Sequence, residues 1–190
     1  DETKVKLDDK GFIIVDSERK TSDPNIFAVG DVAGGPMLAH KAFREGKIAA
    51  EVIAGQKSAF DNIAIPLVVF SDPELASTGL GEEEAKKANY NVKVSRFPLS
   101  ASGRARAMDT RSGFVKLISD ADSGVLLGAH IAAPNASELI SELSLAIEMG
   151  AQLEDVASTI HPHPTLSESV MESAEVGLGK TVHMFMIRNK

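Results

Sequence analysis

The sequence has no cysteine, no tryptophan and a single tyrosine. Without cysteine this chain can form no disulfide or thiolate metal site, and it has no cysteine nucleophile. No apolar run approaches the ~20 residues that span a bilayer, so a membrane is not expected as a partner. The net charge of −7 argues against nucleic acid as the main partner. Apolar residues form 43% of the 190 residues, which is enough for a sizeable core.

Basic residues are absent from a long segment. No Lys or Arg lies between Lys116 and Lys180, whereas ten Asp and Glu residues do. One interpretation is a solvated acidic surface. The other is a docking face for a basic partner, because a field of one sign steers opposite charge.

The first 62 residues contain short apolar runs and one helical pattern. The runs Phe12–Val15 and Ile26–Val29 have the length of strands. The second run is apolar on both faces, which predicts a strand buried on both sides, as in a parallel sheet. A helix is expected to open at Pro36 and to stop at Gly55. A linker-like composition then places a domain boundary near residue 62.

The second part, residues 63–190, carries strands followed by helices, which predicts an α+β fold. The strands expected are 65–70, 92–97 and an antiparallel hairpin of 113–118 with 125–131. The helices expected are 82–88, one capped by Asn135 with Glu138 and ending at Gly150, and one from near Thr165. Leu139, Leu143 and Ile147 share one face of the second of these helices.

A first candidate binding site follows the apolar run that ends at Val29. Gly30 lets a ligand approach the backbone, and Asp31 can accept hydrogen bonds from sugar-type hydroxyls. The free N–H groups of the helix that begins near Met37 favour an anion or an electron-rich oxygen. The alternative is an ordinary strand–loop–helix with a solvated Asp31.

A second candidate site is the segment His161–Glu168. Two prolines stiffen it and fix the imidazoles. Histidine has a pKa suited to proton transfer near neutrality, and Glu168 can orient such a base. The alternative is structural: Thr165 and Glu168 form a capping box, and His161 packs in a loop.

Two further patterns suggest a phosphate-binding loop and a metal site, but neither is complete. Residues 177–181 resemble the end of a phosphate-binding loop, but Ala174 stands where that loop needs glycine. His161 and His163 have no third nearby ligand, so no metal site is expected.

The two candidate sites together resemble the C-terminal part of the dihydrolipoamide dehydrogenases, which belong to the pyridine nucleotide–disulfide oxidoreductase family. The resemblance rests on Ile26–Asp31, Met37–Ala42 and His161–Glu168, in this order and at this separation. It covers essentially the whole chain. The family's dinucleotide-binding glycine motifs and its redox cysteine pair are absent from this sequence. With the N-terminus Asp1-Glu2-Thr3 lacking an initiator Met, this leads us to expect an excised piece of a longer enzyme.

The resemblance implies a role for each part of the chain. Residues 1–62 would close an FAD-binding α/β domain, and residues 63–190 would be the interface domain that pairs two subunits. FAD would contact the side chains or backbone of Gly30, Asp31, Met37, Leu38, Ala39 and His40. His163 would be the acid–base residue and Glu168 would orient it, in a site completed by the flavin of the opposite subunit. The peptide bond before Pro164 is a candidate for the cis isomer.

The resemblance also implies an activity and partners. The parent enzyme would be a cytoplasmic homodimer that oxidises protein-bound dihydrolipoamide with FAD and NAD⁺. Its partners would be lipoyl groups and the subunit-binding domain of the acyltransferase core, docked near the base-free segment. The chain alone would be inactive. The alternatives are a non-catalytic dimerisation or docking module, a glutathione-reductase-like enzyme, and, with little support, a hydrolase using Ser167.

Overall fold

The computed structural model describes residues 3–110 and 112–184. The chain divides into two compact units, residues 1–62 and residues 63–190. No helix in the described residues is both long and apolar enough to cross a membrane.

The first unit is held by turns and one long helix. Single bridges join Leu7 to Ile13 and Lys20 to Phe27, and the described residues of this unit form no longer ladder. The prediction of a strand over Ile26–Val29 is therefore wrong in this structure. A strand of a parallel sheet needs partner strands at its edges, and the described part of this unit supplies none.

A 3₁₀ turn, Gly30–Ala33, precedes helix α1, Ala39–Ile53. The helix begins later than the position of Pro36 predicts. Leu38 is the N-cap in an extended conformation, and its N–H donates to the Pro36 carbonyl, so residues 36–38 form a separate turn. The expected stop is confirmed, because the chain turns at Gly55 with φ of 78°.

The second unit is built on an antiparallel sheet of five strands in the order β1-β2-β5-β4-β3. The strands are β1 Leu67–Val69, β2 Glu74–Gly79, β3 Val92–Pro98, β4 Phe114–Asp120 and β5 Leu126–Ala133. The predicted hairpin is β4 with β5. Strand β2 was not predicted, since its sequence ELASTG has no clear apolar alternation.

Five helices lie in the described residues of this unit, together with a 3₁₀ turn at Leu99–Ala101. They are α2 Glu82–Lys87, α3 Gly103–Ala107, α4 Ala136–Glu148, α5 Leu153–Ser158 and α6 Glu168–Leu178. Sheet and helices together confirm the α+β fold, although α3 and α5 are too short to show a periodic pattern.

The N-terminus of α4 differs from the predicted capping box. Asn135 has φ of 58°, a left-handed conformation, and its side chain makes no capping hydrogen bond. The carboxylate of Glu74 on β2 accepts the Ser137 N–H instead, at 2.9 Å. Asn135 is one of the few residue types that adopt this conformation readily, which explains its position better than a side-chain cap does.

The core lies between the sheet and two helices. Helix α4 packs against β2 and β5, and α6 packs against β3 and β4. Leu143 and Ile147 are buried within this core and Leu139 packs against it, so the predicted apolar face is confirmed. These packed helices fix the segment between α5 and α6, which carries the second candidate site.

Candidate active site

The segment between α5 and α6 presents one imidazole to solvent. The side chain of His163 is 77% exposed, and its Nδ1 lies 2.8 Å from Glu168 Oε1. The peptide bond before Pro164 is cis, as predicted. In the described residues, Nε2 of His163 has no hydrogen-bond partner, so this nitrogen is available to a substrate.

Glu168 is the first residue of α6 and uses its two oxygens differently. Oε1 pairs with His163, whereas Oε2 accepts the Thr165 N–H at 2.8 Å. Oε1 is therefore placed to orient the imidazole, whereas the predicted capping box is only half formed: Ser167, not Thr165, is the N-cap of α6, and its side chain makes no capping hydrogen bond. Burial acts to raise the pKa of Glu168. The Thr165 N–H and the contact with His163 outweigh burial, so the pKa lies below its usual range.

His161 is a packed histidine, as the structural interpretation predicts. Its side chain is 4% exposed, with Nε2 at 2.7 Å from Glu142 Oε1 and Nδ1 at 2.8 Å from the Thr159 carbonyl. Both ring nitrogens are occupied. The two histidines, separated by one proline, thus have different environments, and only His163 is placed for proton transfer.

A cavity of about 170 Å³ lies beside His163. It is lined by Phe97, Ala101, Ser102, Gly103, Arg106, His163, Glu168, Ser169, Glu172 and His183. The walls come from the α3 region and from α6. Such a lining combines one guanidinium, two imidazoles and two carboxylates around a small space.

The sequence analysis missed a second imidazole–carboxylate pair in this cavity. Glu172 lies one helical turn after Glu168 and is 4% exposed. Its carboxylate contacts His183 Nδ1 and accepts from Thr181 Oγ1. The hydrogen bond with Glu172 raises the pKa of His183, and burial together with the charge of Glu172 raises the pKa of Glu175. The spacing of Glu168 and Glu172 marks one helix face, which was the available signal.

Ser167 is not arranged as a nucleophile. Its hydroxyl shares a hydrogen bond of 2.8 Å with Thr165 Oγ1. Within residues 3–110 and 112–184 it makes no hydrogen bond to His163. The hydrolase alternative therefore has no support from the geometry.

The predicted flavin-contacting residues lie together around the 3₁₀ turn and the start of α1. Gly30 is buried, whereas Asp31, Met37 and His40 are exposed. Leu38 and Ala39 stand at the N-terminus of the helix, where the first N–H groups have no intrahelical acceptor. The first unit therefore holds this group of residues, and the second unit holds His163 and Glu168.

A family model described as pyridine nucleotide-disulphide oxidoreductase, dimerisation domain, matches residues 65–174. The chain belongs to the pyridine nucleotide-disulphide oxidoreductase family. A second model of this family, described as pyridine nucleotide-disulphide oxidoreductase, matches residues 1–46. The first match places the antiparallel sheet, α2 to α5 and most of α6 in the dimerisation domain of the family.

Curated relatives are named dihydrolipoyl dehydrogenase. The protein of Geobacillus stearothermophilus is 54% identical over 180 residues, which cover 95% of this chain and 38% of the relative. That of Halobacterium salinarum is 55% identical over 179 residues, 94% of this chain and 38% of the relative. The chain thus spans about two fifths of the length of these relatives.

Solved structures of similar proteins confirm the fold. LpdA of Mycobacterium tuberculosis has a TM-score of 0.84 at 29% identity, over 90% of this chain and 38% of its own. The HOCl-induced flavoprotein disulfide reductase RclA of Escherichia coli has a TM-score of 0.83 at 28% identity, over 90% and 40%.

Proposed function

We propose that this chain is a region of a dihydrolipoyl dehydrogenase, and that His163 is the acid–base residue for the thiols of dihydrolipoamide. The observation that carries the proposal is the geometry of His163: an exposed imidazole whose Nδ1 is held by Glu168 while Nε2 is open. The relatives named dihydrolipoyl dehydrogenase supply the substrate class.

The chemistry asked of His163 is proton transfer. Attack on a disulfide requires a thiolate, because the thiol form is a poor nucleophile. Nε2 accepts the thiol proton, and the thiolate attacks one sulfur of the disulfide, whose other sulfur leaves. This chain has no cysteine, so the disulfide must lie outside these 190 residues. General acid–base catalysis of this kind contributes roughly 10²–10⁴-fold.

Glu168 prepares the imidazole for this step. With Nδ1–H donating to Oε1, the neutral ring carries its lone pair on Nε2, which is the atom that must accept the proton. After the transfer, the carboxylate at 2.8 Å stabilises the imidazolium. The Thr165 N–H on Oε2 restricts rotation of the carboxylate, so the ring orientation is fixed through the helix end.

FAD fits the residues around the 3₁₀ turn. Gly30 has φ of 74°, and a Cβ there would meet Ala42 Cβ at 3.2 Å, so the backbone is closely set. Asp31 offers an exposed carboxylate to ribityl hydroxyls. Val32 and Met37, 54% and 60% exposed, offer apolar surface, and the N-terminus of α1 favours negative charge. When bound, FAD would accept the electrons that the disulfide takes from dihydrolipoamide.

For NAD⁺ the sequence offers no comparable motif. The sequence lacks the Gly-x-Gly-x-x-Gly pattern that binds a dinucleotide. We therefore assign NAD⁺ to the longer enzyme, in line with the relatives named dihydrolipoyl dehydrogenase.

We assign dimerisation to the second unit, but not to the apolar face of α4 formed by Leu139, Leu143 and Ile147. Leu143 and Ile147 are buried in the core of their own unit and cannot face a second subunit. Leu145, Met149 and Ile160 are 62%, 75% and 95% exposed, and the first two line a groove along α4 and α5. A second copy would cover this apolar surface, in keeping with the dimerisation-domain match.

Docking of an acyltransferase subunit-binding domain near the base-free segment stays a proposal. Eight of the ten acidic residues between Lys116 and Lys180 already accept hydrogen bonds or form ion pairs within the chain. These are Asp120, Asp122, Glu142, Glu148, Glu154, Asp155, Glu168 and Glu172. Internal pairing reduces the field that such a surface offers to a basic partner.

The test is turnover of dihydrolipoamide by the full-length enzyme that contains this chain. His163→Gln is expected to lower kcat by about 10²-fold or more with the melting temperature unchanged. His161→Gln is the matched control: it removes a buried imidazole, so it is expected to lower the melting temperature while chemistry persists. Wild-type kcat in His163→Gln would refute the assignment. A wild-type enzyme that does not oxidise dihydrolipoamide would refute the substrate class.

A further inference from the structure

A buried carboxylate in the first unit is bonded to the turn that carries Asp31. Glu45, in the second turn of α1, is fully buried. Its Oε2 accepts the Gly30 N–H at 2.7 Å, and its Oε1 lies 2.9 Å from Arg19 Nη1 and 3.1 Å from Lys41 Nζ. One side chain therefore joins the start of the 3₁₀ turn, a distant loop and the first turn of the helix.

Lys41 reaches the other end of the same turn. Its Nζ donates to the Gly34 carbonyl at 2.9 Å, and its side chain is 5% exposed. A Cβ at Gly35 would lie 3.4 Å from Lys41 Cε, so the lysine stem runs directly beneath the backbone. The segment Gly30–Gly34 is thus held at its first N–H by Glu45 and at its last carbonyl by Lys41.

Helix stability does not explain this pair. A lysine in the first turn of a helix opposes the helix dipole, and the first turn of α1 has no acidic residue. In helices, the order lysine then glutamate four residues later is the less favourable orientation. Burial of two charges is itself costly unless further hydrogen bonds satisfy them. The backbone groups of Gly30 and Gly34 are those further partners.

We propose that Lys41 and Glu45 are positioning residues that hold the Gly30–Gly34 turn in the conformation in which Asp31 and the N-terminus of α1 receive the flavin. The proposal deepens the proposed function and rests on its assignment of FAD to this turn. Neither residue is exposed enough to contact the cofactor. Each acts through backbone, and Arg19, stacked 4.9 Å from the Phe60 ring centroid, fixes the carboxylate from the far side.

The first measurement is the dissociation constant of FAD, from fluorescence titration of the full-length apoenzyme well below its melting temperature. Glu45→Met keeps the volume but removes every acceptor, and it is expected to raise Kd at least tenfold. Glu45→Gln and Lys41→Gln are expected to raise Kd by smaller factors. Glu51→Gln is the matched control, because Glu51 lies on the same helix without a side-chain partner among the described residues, and its Kd should stay unchanged.

A purely structural role gives a different result. It lowers the melting temperature of apoenzyme and holoenzyme equally and leaves Kd unchanged. Kd within twofold of wild type in both Glu45→Gln and Lys41→Gln would overturn the proposal, whatever happens to the melting temperature. If Glu45→Met does not fold, these two variants decide the question.

The second measurement needs no flavin. Hydrogen exchange of the Gly30 amide in the 190-residue chain should be slow in wild type and Glu51→Gln. It should be faster in Glu45→Gln, while amides in the middle of α1 keep their protection. Unchanged exchange at Gly30 would show that Glu45 does not hold the turn. If the wild-type enzyme binds no FAD and Gly30 loses protection in Glu45→Gln, the proposed cofactor site is refuted. Glu45 would then still be shown to hold the turn.

Discussion

Glu168 holds His163 Nδ1 with one oxygen and the Thr165 N–H with the other, both at 2.8 Å. The same carboxylate therefore joins the imidazole to the backbone that precedes α6. Because α6 is packed against β3 and β4, the exposed side chain of His163 is held in a fixed orientation relative to the core of its unit. A base that projects into solvent would otherwise sample many rotamers.

Glu168→Gln is expected to lower kcat of the full-length enzyme, but by less than His163→Gln does. Glutamine keeps one of the two acceptor oxygens, so the Thr165 N–H and the His163 Nδ1–H no longer have one each, and it loses the charge that stabilises the imidazolium. We expect a loss of roughly tenfold, with a change in melting temperature of a few degrees at most. Parallel kinetics and calorimetry of the two variants test this. An equal or larger loss in Glu168→Gln would mean that orientation, and not the proton acceptor, limits turnover.

The second imidazole–carboxylate pair predicts a pH dependence of stability. The hydrogen bond with Glu172 places the folded-state pKa of His183 above the usual 6.5. A raised histidine pKa stabilises the fold fully below the unfolded-state value and loses that contribution as pH rises through the folded-state value. The melting temperature should therefore fall as pH increases above about 6.5, and His183→Gln should flatten this part of the curve. Identical profiles of the two proteins would contradict it.

Leu143 and Leu145 provide a matched pair on α4. Leu143 is fully buried, and Leu145 is 62% exposed. Leu143→Ala should lower the free energy of unfolding by about 2–5 kcal/mol, because it leaves a cavity between α4 and the sheet. Leu145→Ala should change it by less than ~0.5 kcal/mol in the monomer. Urea denaturation at two protein concentrations separates folding from association.

The exposed surface of α4 predicts the site of dimer contact. Met149→Glu introduces a charge into the groove shared with Leu145, and it should shift the second unit, residues 63–190, from dimer towards monomer with its circular dichroism unchanged. Sedimentation velocity at several concentrations gives the measurement. Glu138→Gln, an exposed position on the same helix, serves as control. A wild-type chain that is monomeric at high micromolar concentration would remove the basis for this prediction.

The 190-residue chain by itself should not reduce NAD⁺ with dihydrolipoamide. It has no cysteine to exchange with the dithiol and no dinucleotide motif. Absorbance at the NADH band, followed with the purified chain and added FAD, checks this. The full-length enzyme is the positive control. Turnover by the chain alone would show that the missing disulfide is not required.

Local patterns predicted a large part of this structure. The hairpin of β4 and β5, the amphipathic face of α4 and the contacts of Glu168 with Thr165 and His163 all depend on residues close in sequence. Glu168 lies three residues from Thr165 and five from His163, so spacing alone brings their atoms within reach. For the same reason the pairing of His163 with Glu168 was predictable from the sequence. The sequence did not show which of the two histidines, His161 or His163, would be buried. Nε2 of His161 is bonded to Glu142, which is 19 residues away.

The amino-acid sequence by itself determined the α+β class, the lack of thiol chemistry in this chain and the residues that meet at the start of α6. Tertiary structure decided what depends on distant partners. It left Ile26–Val29 without a ladder, paired Glu172 with His183, and bonded Glu45 to Gly30 and to Arg19, 26 residues away. Periodicity reports which face of an element is apolar, but it does not report which backbone group will meet a buried carboxylate. The contact of Glu45 with the Gly30 N–H depends on how α1 packs against the 3₁₀ turn before it.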